Sequence, residues 1–288
     1  MTVVDTLPVP PIVLTFAASD PTGGAGVQAD LLTSASLGCY ALSVVTALTV
    51  QDTAGVEAVL PIDTEWVVDQ ARMVLEDMPV AAFKLGMLGT LETIAAIAEI
   101  ISDYPGVPVV LDPVLASGRG DQLADEDMIE AMIDLLLPLT TVLTPNSLEA
   151  RRLAQEIEAY NDGERRVSTL AECAHRLITA GCEYILVTGT HEGTPQVINT
   201  LYGSHGVVRS DRWRRLPGSY HGSGCTLASA IAAQLAWGKD MASAVAAAQD
   251  YTWNTLAHGF RPGMGQFIPD RMFRMRTENN SKDDEKDK

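Results

Sequence analysis

Short apolar runs alternate along this chain with segments whose apolar residues recur every three to four positions. The runs PIVLTFA (11–17), YALSVVTALTV (40–50), AAFKL (81–85), VPVVL (107–111), TTVLT (140–144) and YILVT (184–188) predict strands. Between them, stretches 26–37, 63–77, 91–102, 125–136, 147–158 and 169–180 have helical period. Thr169, with Glu172 three residues on, marks a capping box at the start of the last. From 195 to 217 the rhythm breaks, and the pattern predicts β-structure with a loop. Two closing helices are predicted at about 225–237 and 241–258.

Strands that are apolar on both faces and separated by helices imply a mostly parallel sheet covered on both sides. The fold class is therefore α/β. No linker rich in Gly, Pro or Ser divides the chain, and no internal repeat is present. One domain is expected over 12–275, after an N-terminal extension (1–11) and before a charged tail (276–288) with nothing to bury, expected to be disordered. In such folds ligands bind beyond the carboxyl ends of the strands. The loops there read SDPTGGAG, QDTAG, GMLG, DPVLASGRG, TPNSLE and TGTHEG.

Composition narrows the chemistry. A net charge of −17 repels nucleic acid and anionic membrane. The Ala-rich run from Thr226 is interrupted at Gln234 and again at Gly238, Lys239 and Asp240, too soon to span a bilayer. Cys39, Cys173, Cys182 and Cys225 form no CxxC pair, so neither a zinc ribbon nor a disulfide framework is indicated. The N-terminus lacks a basic segment followed by a long apolar core, and the expectation is a cytoplasmic protein with reduced thiols. Before Ser281 the only lysines are Lys84 and Lys239. A polyanionic substrate must then be neutralised locally, by a metal ion, by backbone N–H groups or by a few arginines.

Four stretches carry candidate chemistry. In HGSGCTLASA, a helix starting near Cys225 would aim the N–H groups of Gly222, Ser223, Gly224 and Cys225 outward, forming an anion site. The same field lowers a thiol pKa, which suits Cys225 to act as a general base. The plainer alternative is a tight turn followed by a core cysteine. A serine hydrolase is disfavoured because His221 stands where the nucleophile elbow needs glycine. In SDPTGGAGVQAD, Gly24 to Ala29 fits a dinucleotide fingerprint, with Asp52 at a distance suited to a ribose, although Asp20, Pro21 and Thr22 interrupt the expected immediate turn. No Walker A lysine motif occurs.

Asn146 and Glu149 follow the fifth apolar run. They suit either a reciprocal helix cap or a metal and phosphate site. Asp112 ends a strand before Pro113, so its carboxylate should project at the carboxyl end. Arg119, between two glycines, is placed to bring a cation to a phosphate. His191 and His221 lie in loops that should face the site and are given supporting roles.

Taken together, SDPTGGAGVQADL, TALTVQDT, KLGMLG, VVLDPV, TPNSLEA and HGSGCTLASA resemble the hydroxymethylpyrimidine/phosphomethylpyrimidine kinases of thiamin biosynthesis, ribokinase-like proteins, over about residues 12–270. The resemblance implies a ribokinase-like fold and transfer of the ATP γ-phosphoryl to 4-amino-5-hydroxymethyl-2-methylpyrimidine, then a second transfer giving the diphosphate. It implies ATP and Mg2+ as cofactors, and a homodimer. Cys225 stands where ribokinase relatives carry an aspartate base, a mark of the pyrimidine kinases. By the same resemblance Gln51 hydrogen-bonds the aminopyrimidine, and Asp30, Ala25, Thr49 and Met87 line its pocket. Asn146, Thr188, Gly189 and Arg119 fall at the nucleotide phosphates, Asp112 and Glu149 at the metal, and Gly222, Ser223 and Gly224 at the anion hole. Thr188 occupies a position where the family commonly has a lysine, and the loop LASGRG lacks another; Arg119 is the candidate to compensate. Pyridoxal kinase is the nearest rival within the fold. An NAD-linked enzyme and a silent pyrimidine-binding protein are the rivals outside it.

Overall fold

The apolar runs become neighbouring strands. The computed structural model describes residues 8–117, 120–159 and 168–276. Its strands are β1 (Ile12–Ser19), β2 (Tyr40–Gln51), β3 (Val56–Pro61), β4 (Val80–Leu85), β5 (Val109–Leu111), β6 (Val142–Leu143), β7 (Tyr184–Val187), β8 (Gln196–Gly203) and β9 (Gly206–Arg214). They form one sheet in the order β3-β2-β1-β4-β5-β6-β7-β8-β9. The six strands from β2 to β7 in that order are parallel, while β3, β8 and β9 join antiparallel at the two edges.

Alternation along each strand sorts the core into two layers. Val13, Ala82, Val110, Val142 and Leu186 face one side. There they meet α7 (Ser223–Ala236) and α8 (Met241–Ala257), with α1 (Gly26–Ser36) packed alongside α7. Ala228, Ala230, Ala232 and Ala233 let α7 lie close to the sheet. Leu14, Phe16, Phe83, Leu85, Leu111 and Ile185 face the other side. That layer holds α2 (Thr64–Asp77), α3 (Leu91–Ser102), α4 (Glu126–Ala131), α5 (Ser147–Ala159) and α6 (Leu170–Thr179).

The capping box at Thr169 and Glu172 forms as predicted. The helix predicted to 136 runs as α4 only to Ala131 and then loosens into a π turn, Met132–Leu136, before the 3-10 turn that holds Pro138. β3 escaped the pattern because nearly all of it is exposed, leaving no alternation to read. No helix among the described residues is long and apolar enough to cross a membrane. Residues 1–7, Arg119 and the tail beyond Arg276 lie outside the described residues.

Candidate active site

Every parallel strand ends on the same rim, and α7 starts there. It begins at Ser223, two residues earlier than predicted, with Gly222 as N-cap in the left-handed region (φ 78°) and no side-chain cap. Helix geometry leaves the N–H groups of Ser223, Gly224 and Cys225 without intrahelical acceptors. Gly222 thus contributes the bend rather than a helix N–H.

Cys225 is only partly buried, and the Gly26 N–H at the start of α1 donates to its Sγ. The sequence favoured a lowered thiol pKa, and the structure corrects this. Burial pushes Cys225 up to about 12; Lys84 pulls it down, and the carboxylates of Asp112 and Asp30 oppose that pull. The resting thiol is neutral.

Asp112 and Glu149 come together at the ends of β5 and β6. Burial raises Asp112 to about 6, with Asp30 adding to the rise and Lys84 resisting it. Glu149 is raised to about 8, by burial and then by Asp112. Asp112 Oδ2 is buried without a hydrogen-bond partner, and the carboxylate faces Gly224, where an added Cβ would stand 3.6 Å from Oδ1. Two neighbouring carboxylates whose pKa values burial raises, one with an orphaned oxygen, fit a divalent cation. No group of three or more His, Cys, Asp or Glu side chains able to hold a metal occurs among the described residues. The set therefore suits Mg2+ shared with nucleotide phosphates, not a closed protein cage.

Asn146 and Glu149 are also a reciprocal cap. Asn146 Oδ1 accepts from the Leu148 and Glu149 N–H groups at 2.9 and 3.0 Å, and Glu149 Oε2 accepts from the Asn146 N–H at 2.8 Å. Thr188 bridges to Asn146 in parallel register, so these two residues adjoin. Gly189 packs with no room for a side chain against the Ile198 carbonyl, and its N–H donates to Asn199 Oδ1 at 3.1 Å.

Of the residues expected at the pyrimidine, Thr49 and Gln51 project from one face of β2, and Thr49 Oγ1 donates to the Ser19 carbonyl at 2.9 Å. Ala25 is the N-cap of α1. Met87 is partly buried, and its carbonyl accepts from Thr46 at 2.6 Å. Asp30 is 1% exposed, and its carboxylate is already held by Lys84 Nζ (2.9 Å), Thr15 Oγ1 (2.6 Å) and Ser229 Oγ (2.7 Å). Asp52, the ribose candidate, spends its carboxylate on the Ala54 and Gly55 N–H groups of its own turn.

Comparison with known proteins decides the family. The phosphomethylpyrimidine kinase family model matches residues 20–270. The chain belongs to the phosphomethylpyrimidine kinase family. The family acts in thiamin biosynthesis on hydroxymethylpyrimidine and on its phosphate. A hydroxymethylpyrimidine/phosphomethylpyrimidine kinase of Rhizobium meliloti is 39% identical over 255 residues, 88% of this chain and 94% of its own length. A solved phosphomethylpyrimidine kinase from Clostridium difficile is similar at TM-score 0.70 and 33% identity, over 84% of this chain and 97% of that one. The ADP complex of Bacillus subtilis pyridoxal kinase is similar at TM-score 0.81 and 27% identity, over 92% of this chain and 99% of that one. The ribokinase-like fold and ATP-dependent kinase chemistry follow, and the NAD-linked alternative falls away.

Within this kinase, sequence reasoning missed three residues that hold the site together. Lys84 is fully buried; burial pulls its pKa down, but Asp30 together with Cys225 and Asp112 outweighs this and holds the ammonium above its usual value. Its signal was visible: a lone lysine inside an apolar strand of a lysine-poor chain. Asp20 accepts from the Thr22 and Ala25 N–H groups and from His221 Nε2, at 2.8, 2.7 and 2.8 Å. Arg271 reaches the same place from the C-terminal segment, and nothing local in its sequence announces it.

Proposed function

We propose that the rim between the α7 turn and the carboxyl end of β2 carries out both phosphoryl transfers of the family. The acceptor is 4-amino-5-hydroxymethyl-2-methylpyrimidine, then its monophosphate. The observation that carries this reading is the meeting of Cys225, the uncapped N-terminus of α7 and the start of α1 at one point.

In this reading Gln51 pairs with the aminopyrimidine through its amide, which both donates and accepts. Thr49, Ala25 and Met87 shape the pocket, and Asp30 supports it through Lys84. The N–H groups of Ser223, Gly224 and Cys225 hold the migrating phosphoryl group, where a fixed dipole is worth most. Asn146, Thr188 and Gly189 form the nucleotide side. Asp112 and Glu149 would hold Mg2+, which when bound neutralises phosphate charge. Cys225 receives the proton of the hydroxymethyl group as thiolate, after the resting thiol has released its own proton to solvent, a loss that Lys84 and the Gly26 N–H favour. The second acceptor is a phosphate monoester with a second pKa of about 6, so it needs no base. A neutral thiol also avoids repelling that dianion, as an aspartate would not.

Residues 12–275 are read as one catalytic domain. The four free cysteines support a reducing, cytoplasmic setting, and the charge of −17 argues against nucleic acid. Exposed Leu48, Val50 and Leu60 along the β2–β3 edge support a homodimer, which sedimentation tests.

The deciding experiment incubates the protein with Mg-ATP and hydroxymethylpyrimidine. Mono- and diphosphate should appear in turn, and absence of both refutes the reading. Pyridoxal is the second acceptor to assay, because the fold is also that of pyridoxal kinases.

A further inference from the structure

Arg271 is 3% exposed, and its guanidinium makes its hydrogen bonds to uncharged acceptors. Nη1 donates to the Gly23 carbonyl at 3.2 Å. Nη2 donates to the Gly24 carbonyl at 2.5 Å and reaches the Gly222 carbonyl at 3.4 Å. Nε donates to Thr226 Oγ1 at 3.0 Å. A buried charge is expensive to place, and neutral acceptors compensate it less fully than a carboxylate does. This one sits where two glycine turns meet: one leads into α1 on the substrate side, the other into α7 on the phosphate side.

The planar fork suits that junction. A peptide unit is planar and trans, so drawing the Gly222 carbonyl toward Arg271 sends the Ser223 N–H the opposite way, out of the turn. The fork spans carbonyls from both turns at once, which a lysine ammonium on its single axis does less well. Its base is anchored too: the Arg271 carbonyl accepts from Tyr251 Oη at 3.0 Å, and the Asp270 N–H donates to the Thr255 carbonyl at 2.9 Å.

We infer that Arg271 is a positioning residue for phosphoryl transfer: it locks the turn at 23–24 to the turn at 222 and sets a fixed positive charge behind the anion hole. The inference rests on the functional reading above. It also bears on how a chain with threonine at 188 supplies positive charge near the phosphate.

The test compares wild type, Arg271→Ala and Arg271→Lys in both transfers, with thermal melts alongside. Arg271→Ala should lose about 100-fold in kcat in both steps, the scale of a small misplacement of reacting groups, while KM for ATP moves less than about threefold. Millimolar guanidinium should restore part of that loss, and Arg271→Lys should fall between alanine and wild type. A folded alanine variant with kcat within about threefold of wild type overturns the inference. So does a loss that only tracks the unfolded fraction and is unmoved by guanidinium. If the alanine variant does not fold, a folded lysine variant at full kcat overturns it, and one about tenfold slower supports it. Wild-type product formation separately reports on the functional reading. Hydrogen exchange reports on the clamp without any substrate: amides of residues 22–26 and 222–226 should exchange about tenfold faster in Arg271→Lys, and unchanged rates overturn it.

Discussion

Gly222 and Gly24 touch backbone to backbone. A Cβ at Gly222 would overlap the Gly24 carbonyl oxygen and stand 3.0 Å from Ala25 Cα, and the residue's φ of 78° disfavours any side chain. The turn at 24–25 and the turn at 222 therefore pack against each other without room for a side chain. Gly222→Ala should cost about 1–2 kcal/mol from backbone conformation alone, plus whatever the separated turns lose. Turnover should fall about 100-fold, because the reacting groups move apart. Gly106→Ala is the control, since a Cβ there meets nothing within 4 Å. Equal turnover in both variants would show that contact between the turns is not needed.

The two transfers should depend differently on Cys225. An alcohol must lose a proton as it attacks, whereas an ionised phosphate monoester has none to lose. Cys225→Ala should slow the first transfer by about 10²–10⁴-fold, the usual worth of a positioned base, and the second by clearly less. Cys225→Asp would add a third carboxylate beside Asp112 and Glu149, and should penalise the monophosphate more than the alcohol. Single-turnover rates for each acceptor check both expectations. Equal losses in the two steps would remove the base assignment.

Lys84 and Asp30 are 2.9 Å apart, and both side chains are 1% exposed. Removing one partner strands the other as a buried charge. Lys84→Met should cost about 3–5 kcal/mol in denaturant melts. The double variant Lys84→Met with Asp30→Leu should recover much of that, because no charge is left unpaired. If the double variant is as unstable as the single one, the pair contributes mainly shape.

Much of this arrangement was legible beforehand, for reasons that differ by residue. Fully apolar strands such as VPVVL could only lie in a sheet buried on both faces, so the α/β class and its mostly parallel sheet followed. Cys225, Gly222 and Asp112 could be picked out because their surroundings are local: a glycine turn before a helix, a carboxylate before a proline. The partners of Asp30 could not be read because they are not local. Lys84 lies 54 residues away in sequence and Ser229 lies 199 away. Arg271 contacts Gly24 across 247 residues, a separation no spacing rule addresses. The thiol pKa was misjudged for a similar reason. A helix N-terminus argues for thiolate, but burial beside carboxylates supplied by β5 and α1 outweighs it.

Asp20 gives the site its acid limit. Burial alone would raise its pKa, but the hydrogen bond from His221 and those from the Thr22 and Ala25 N–H groups overcome this and bring it to about 2, below the ordinary 3.8. A carboxylate whose pKa is lower in the folded state binds fewer protons there than when unfolded. Its stabilisation is therefore complete above pH 3.8 and is lost as pH falls toward 2. The difference corresponds to about 2 kcal/mol. Asp20→Asn should be less stable than wild type by a constant margin from pH 7 down to about 5, and the margin should close between about pH 4 and 2. Denaturant melts across that range measure it. A margin that stays constant down to pH 2 would mean that Asp20 acts through shape and not through its charge.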